Sequence, residues 1–354
     1  MDRVCVRAAN WLGDAVMSLP AIRAIRGVFP RAHIVLIARP SVADLYERES
    51  SIDSTILYPA ARSFRERRQF AAQLRAQHFD CAILLQNAFD AALITWLARI
   101  PERIGYSRDG RGWLLTRAIP VPEPGEIPRH ERFYYLELLR RAGMMEHFPE
   151  TSAIHLEGIG AARSAGAAHL ASLGIEGSTI GVSPGAAYGN AKRWLPERFA
   201  EAAVRVARGL DGPASVAVFG SAAERDLGES VAAGIAGAGV AARNLAGRTT
   251  LGEFIGLAAA CRVFLTNDSG AMHVASALAV PTVAVFGATD DATTGPVSPL
   301  ARVVREHAEC SPCLLRSCPI DHRCMTRVSA ARVAETALEL THRTVPAWIP
   351  EPRS

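Results

Sequence analysis

Two separated segments carry residue types suited to holding an anionic ligand. Pro184 to Pro196, PGAAYGNAKRWLP, sets Gly185 and Gly189 ahead of Lys192, Arg193 and Trp194. Glycines let the backbone approach a ligand closely, and a lysine beyond them can meet phosphate oxygens. The GxxxxGK[ST] spacing of a P-loop is absent. An ordinary surface loop would read the same way, but composition singles this lysine out: of 39 basic residues, 38 are Arg and Lys192 is the remaining one. A chain that uses planar guanidinium forks elsewhere and keeps one compact ammonium points to a position that needs a point charge. The second segment is Thr266 to His273, TNDSGAMH. Asp268 or Ser269 would cap a helix whose first N–H groups Gly270 leaves open, and His273 would face the same ligand one turn in. Open amides at a helix start suit a diphosphate. The plainer alternative is a capping sequence with a buried histidine.

Three further positions could take part. Glu224 follows the strand-like run SVAVF and Gly220; a carboxylate there can hold ribose hydroxyls or serve as a first-turn helix acid. The turn Leu245 to Thr250 could receive a base through backbone groups. Near the start, Gly13-Asp14 sits at a strand-to-helix turn, where a carboxylate can act as general base on an incoming hydroxyl or simply cap the helix. Four thiols crowd one stretch: Cys310, Cys313, Cys318 and Cys324, with His307 and His322 nearby. Such spacing can hold a tetrahedral structural zinc. Buried or redox-labile thiols are the alternative, and we expect no metal to be required.

The elements that would position these residues follow a repeating grammar. Val4–Ala8, His33–Ala38 and Cys81–Leu85 read as strands, alternating with helical spacing over Ala15–Val28 and Arg129–Gly143. The same pattern returns with strands at Thr179–Ser183, Ser215–Phe219, Arg262–Thr266 and Thr282–Phe286, and a helix over Pro196–Gly209. Strands separated by helices indicate parallel sheets. We expect an α/β chain of two Rossmann-like domains with parallel sheets facing a central cleft, at residues 1–153 and 178–327. A linker at 154–177 joins them. With 354 residues and 49% hydrophobic content, each domain can bury its own core.

The net charge of +4 lies in the first part of the chain, where 21 Arg face 17 acids up to residue 150. The run Arg62, Arg65, Arg67, Arg68 is either a solvated helix face or a patch for a phosphorylated or membrane-bound partner. No nucleic-acid module accompanies it. The N-terminus lacks the apolar run of a signal peptide, so we expect a cytoplasmic protein whose membrane contact is peripheral.

Taken together, NWLGD, PGAAYGNAKRWLPERFAE and LTNDSGAMHVASAL resemble the ADP-heptose:lipopolysaccharide heptosyltransferases, nearest the heptosyltransferase II branch, over residues 3–340. The resemblance implies a GT-B fold, with the acceptor bound by the first domain, the nucleotide sugar by the second, and a final helix at 328–345 crossing back to the first. It implies Asp14 as general base and Lys192 on the leaving diphosphate. Gly185, Asp268, Ser269, Gly270 and His273 would line the donor, with Glu224 on the ribose. Gly13, Arg62, Arg65, Arg103 and Arg108 are the candidates for a phosphorylated lipopolysaccharide acceptor at the cytoplasmic face of the inner membrane. The implied reaction is inverting transfer of L-glycero-D-manno-heptose to the first heptose of the inner core. A sister transferase with another acceptor (Kdo or an outer core sugar) and a non-catalytic nucleotide-sugar binder are the alternatives. A nicotinamide-linked enzyme lacks its GxGxxG fingerprint here.

Overall fold

A computed structural model of the chain describes residues 1–58, 63–149 and 154–342. It divides into two compact units, Met1–Ser152 and Ala153–Ser354. The first holds a six-stranded sheet: β1 (Arg3–Arg7), β2 (His33–Ala38), β3 (Ser54–Leu57), β4 (Cys81–Leu84), β5 (Glu102–Tyr106) and β6 (Arg117–Ile119). Their order is β3-β2-β1-β4-β5-β6, and every pair is parallel. The interior positions of β1, β2 and β4 are apolar because helical crossovers cover both faces, so no alternation of polar and apolar residues is needed.

The second unit repeats the plan with β7 (Ser178–Ser183), β8 (Ala214–Val218), β9 (Ala241–Asn244), β10 (Val263–Asn267), β11 (Thr282–Val285) and β12 (Ala301–Val304). Read from its own first strand, the order β12-β11-β10-β7-β8-β9 is the same as in the first unit. Each sheet therefore reverses its winding at one place, between β1 and β4 or between β7 and β10. Ligands of doubly wound sheets bind outside the strand C-termini at that place.

Two expectations are corrected. The helix expected over Ala15–Val28 is two helices, Leu12–Met17 and Leu19–Val28, because Pro20 lacks the N–H an interior position needs and begins a new helix. The stretch 154–177 is not a bare linker: it contains the helix Ile159–Ser172, packed on the helix Leu251–Ala259. A Cβ at Gly166 would overlap the Gly256 carbonyl, so glycine sets how closely these two helices approach. The last helix, Ala330–Thr341, buries Val333, Ala334, Ala337 and Leu340 in the second unit's core, beside Phe199 and Val206, and residues 343–345 of the expected range lie outside the described residues.

In the first unit the helix Arg132–Arg141 is fixed by a carboxylate with no solvent exposure. Glu137 accepts from Arg140 Nε at 2.7 Å and Arg141 Nε at 2.7 Å. The Arg140 hydrogen bond is the main cause holding its carboxyl below the ordinary value of 4.5. A depressed carboxylate contributes stability above that ordinary value and loses it as pH falls through the folded one. Glu137→Gln should cost about 1–2 kcal/mol near neutrality, the guanidiniums being partly solvated. In urea unfolding, the gap between variant and wild type should close at pH below 4.5; a gap independent of pH would contradict this account.

Candidate functional site

In the second unit, the candidate residues gather where β7 and β10 end side by side, with Ser183 paired to Thr266. The residue that joins these strand ends is Asn267, fully buried. Its Nδ2 donates to the Pro184 carbonyl at 2.7 Å and its Oδ1 accepts from the Trp194 amide at 2.9 Å. One side chain thus holds both ends of the loop that carries Gly185, Gly189 and Lys192. Trp194 anchors the far end, donating Nε1–H to the Val328 carbonyl at 3.2 Å and setting its ring edge-on to Phe199.

The next residue, Asp268, carries the site's charge. Its Oδ2 accepts from Lys192 Nζ at 2.6 Å and from Thr289 Oγ1 at 2.6 Å. The side chains of Lys192 and Asp268 are 13% and 5% exposed, so this is an ion pair withdrawn from water and completed by a hydroxyl. An ammonium has three donors, and Asp268 takes one, which leaves the others to meet an anion. Asp268 thus serves as the carrier of Lys192 more readily than as a direct neighbour of phosphate, which its own charge would repel.

Ser269 follows with extended backbone and makes no side-chain cap to the helix Gly270–Ala277; its hydroxyl lies 3.2 Å from Thr266 Oγ1. The first-turn amides from Gly270 onward therefore have no side-chain acceptor from the cap. His273, one turn into this helix, is 4% exposed. Glu224 accepts from the Ser221 amide and hydroxyl, both at 2.8 Å, in a capping box. Its carboxylate also fills the space a Cβ at Gly185 would need, and lies 3.9 Å from the Arg193 guanidinium. Gly185, Lys192, Glu224, Asp268, Ser269 and Gly270 thus share one sheet edge.

The cysteine-bearing segment leans on the same loop. The Ala191 amide donates to the Arg316 carbonyl at 3.1 Å, His322 Nε2 lies 3.0 Å from the Ala191 carbonyl, and the Tyr188 hydroxyl donates to the Leu314 carbonyl at 2.8 Å. The Tyr188 ring lies under Lys192 Nζ at 4.8 Å and the Arg316 guanidinium at 5.3 Å. Burial first, then Cys310, Cys313 and Cys318, pushes the Cys324 thiol up. Among the described residues, no three His, Cys, Asp or Glu side chains form a set that could hold a metal ion.

In the first unit, Gly13 and Asp14 lie in the first turn of Leu12–Met17, directly after β1. The buried Tyr135 hydroxyl donates to the Asp14 carboxylate; burial, then the charges of Asp14 and Glu131, hold this phenol well above its ordinary value. Burial and the Asp14 charge also raise the Glu131 carboxyl, with Arg108 opposing. Asp14 therefore sits half-buried in a small acidic group rather than serving as a mere cap.

The arginine candidates separate. Arg65 is exposed on the helix Phe64–Arg75, and Arg108 stands 3.4 Å from the Tyr134 hydroxyl and 3.6 Å from Asp109. Arg103 is turned inward, donating to the Leu114 carbonyl at 2.7 Å and to the Ile100 carbonyl, so its fork serves the fold. Arg62 lies outside the described residues. Sequence reasoning missed Asn267, Thr289, Tyr188, Glu131 and Tyr135. The four-residue spacing of Glu131 and Tyr135, which puts both on one helix face, was the one local signal.

Comparison with known proteins gives a consistent picture. The model of glycosyltransferase family 9 (heptosyltransferase) matches residues 67–323. Lipopolysaccharide heptosyltransferase 2 of Escherichia coli K12 is 33% identical over 310 residues, 86% of this chain and 88% of that protein. Lipooligosaccharide heptosyltransferase 2 of Haemophilus ducreyi is 30% identical over 332 residues, again 86% and 88%. The solved structure of E. coli ADP-heptose lps heptosyltransferase II superposes with a TM-score of 0.80 at 29% identity, covering 96% of this chain and 98% of that one.

The geometry makes Asn267 the keystone of the lysine loop. Asn267→Ala should lower stability by about 1–3 kcal/mol, since it strands a buried amide and carbonyl. Hydrogen exchange at the Trp194 amide should quicken far more than in the core of β7. Unchanged protection at Trp194 would remove Asn267 from this role.

Proposed function

The chain belongs to glycosyltransferase family 9, the heptosyltransferases, with the paired Rossmann-like GT-B domains of that family, and from this premise we propose which transfer it performs and how. The donor is ADP-heptose, the group moved is L-glycero-D-manno-heptose, and the acceptor is the first heptose of the lipopolysaccharide inner core, at the cytoplasmic face of the inner membrane. Transfer inverts the anomeric centre and needs no metal. The observation that carries this reading is the buried Lys192–Asp268 pair beside the uncapped helix start at Gly270. The heptosyltransferase 2 relatives support the sugar and the pathway, and the name of the solved E. coli structure supports the nucleotide.

The chemistry follows from charge. As the acceptor hydroxyl attacks the anomeric carbon, its proton passes to Asp14 and the bond to the diphosphate oxygen breaks. The hydrogen bond from Tyr135 restrains the Asp14 carboxylate. On the departing ADP the new negative charge meets Lys192 and the open amides at Gly270; fixed donors aimed at developing charge lower the barrier without reorganising. Asp268 and Thr289 hold the ammonium in place, so that removing either should loosen Lys192 without removing its charge. Glu224 and Gly185 form the ribose side of the donor site, and His273 supports the heptose side. Arg65 and Arg108, with Arg62, meet acceptor phosphates; Arg103 is left out of this set because its donors face backbone carbonyls.

A transfer assay with ADP-heptose and core acceptors differing by one sugar tests the reading. Turnover should require an acceptor ending in the first heptose and should persist in EDTA; preference for a Kdo-terminated acceptor would move the chain to a sister activity. Asp14→Ala should cut kcat by about 10²–10⁴-fold with ADP binding intact. Lys192→Ala should cut kcat by about 10²–10³-fold and weaken ADP binding as well. Near-normal turnover in either variant would refute the role given to that residue.

A further inference from the structure

The first unit carries a surface that the transfer chemistry leaves unused. Of the six exposed aromatic side chains among the described residues, four lie together on one unit: Phe64 (55% exposed), Phe89 (40%), Trp96 (44%) and Trp113 (67%). The rings form a chain, with Trp113 6.1 Å from Trp96 and 6.4 Å from Phe89. Phe64 and Trp96 also border a groove of about 670 Å³ between the helices Phe64–Arg75 and Phe89–Leu97. Scattered exposed apolar residues need no explanation, but a joined set of large rings marks a contact surface.

The charge around these rings identifies the partner. The groove is lined by Arg68, Arg75, Arg99 and Arg103 and by no carboxylate. Arg75 and Arg103 donate to backbone carbonyls, which hold their geometry but leave their charge uncompensated. Arg68 and Arg99 are exposed. Amphipathic rings prefer the headgroup level of a bilayer, and cations beside them gain from an anionic leaflet. No described helix is long and apolar enough to cross a membrane. We propose that the Phe64–Phe89–Trp96–Trp113 surface, with its arginine-lined groove, docks the enzyme on an anionic phospholipid bilayer. The purpose of such docking rests on the proposed membrane-held acceptor, whereas the surface itself is argued from exposure and charge alone.

Sedimentation of the full chain with vesicles separates these ideas. The wild type should bind phosphatidylcholine vesicles containing phosphatidylglycerol, with a blue shift in tryptophan emission, and should release at high salt. It should bind pure phosphatidylcholine at least tenfold more weakly. Millimolar inorganic phosphate should not displace it; displacement would mean a free-phosphate site and overturn the proposal. Trp96→Ala with Trp113→Ala, and separately Arg68→Ala with Arg99→Ala, should each weaken vesicle binding at least tenfold. All four residues are exposed, and circular dichroism checks that the fold is kept. Vesicle binding equal to wild type in both double variants would overturn the proposal, as would a dimer in solution that these variants dissociate. Transfer to a water-soluble, deacylated acceptor should stay normal in them. If wild-type vesicle binding holds while transfer to every acceptor fails, the proposed reaction falls and the docking surface stands.

Discussion

An ammonium drawn out of water is costly unless a carboxylate meets it with good geometry and the remaining polar atoms are satisfied. Lys192 and Asp268 meet at 2.6 Å, and Thr289 occupies the same oxygen. Their encounter depends on two strands far apart in sequence ending side by side, and on Asn267 holding the intervening loop at both ends. The second unit is in this sense built outward from the end of β10. Its next residues supply the carboxylate, an uncapped serine and a helix start, all within four positions of one another. Removing one partner would leave an uncompensated buried charge, so the pair constrains the loop as firmly as the loop constrains the pair.

Both units reach their chemistry through the same topology. A parallel strand followed by a crossover helix places a helix start at the strand's C-terminal edge, and the reversal of winding opens room beside it. The first unit puts Asp14 in such a turn after β1, where Tyr135 and Glu131 surround it. The second unit uses the equivalent edge, after β7 and β10, for a cation. One framework thus presents a carboxylate in a half-buried acidic group and, separately, an ammonium beside an uncapped helix start. The difference lies in side chains at the strand ends and not in the sheets.

How far this was legible in the sequence differs by element. HIVLIA over His33–Ala38 and the helix Pro196–Gly209 stand where their periodicity puts them, because buried runs and an amphipathic repeat leave few alternatives. The strands β3, β6, β9 and β12 were not legible: STIL, RAI, AARN and ARVV are three or four residues long, lie toward the sheet margins, and carry polar or exposed positions without clear alternation. Lys192 and Asp268 were each recognisable from their surroundings. Their pairing was not, since 76 residues separate them and only the register of β7 with β10 joins them. Arg103 shows the converse. As a residue type it reads as a surface cation, yet three-dimensional context turns it toward carbonyls that a closed strand connection leaves bare.

The stretch that bears the cysteines gains its meaning from backbone and not from sulfur. Leu314 and His322 both adopt left-handed backbone at φ 58°, a conformation that costs a residue with a side chain about 1–2 kcal/mol. Each such position also makes a bond into the site. The Leu314 amide donates to the Ala288 carbonyl, next to the Thr289 that holds Asp268, and its carbonyl receives the Tyr188 hydroxyl. The His322 ring reaches the Ala191 carbonyl, next to Lys192. Gly189 has no room for a Cβ because the Arg316 backbone lies against it. Strained turns persist only where their surroundings determine them several times over, and here those surroundings are the two loops that meet at the Lys192–Asp268 pair. The segment from 314 to 322 is therefore the outer wall of the cation site, and its tight backbone is the reason a loop of glycines and alanines can hold a lysine in one position.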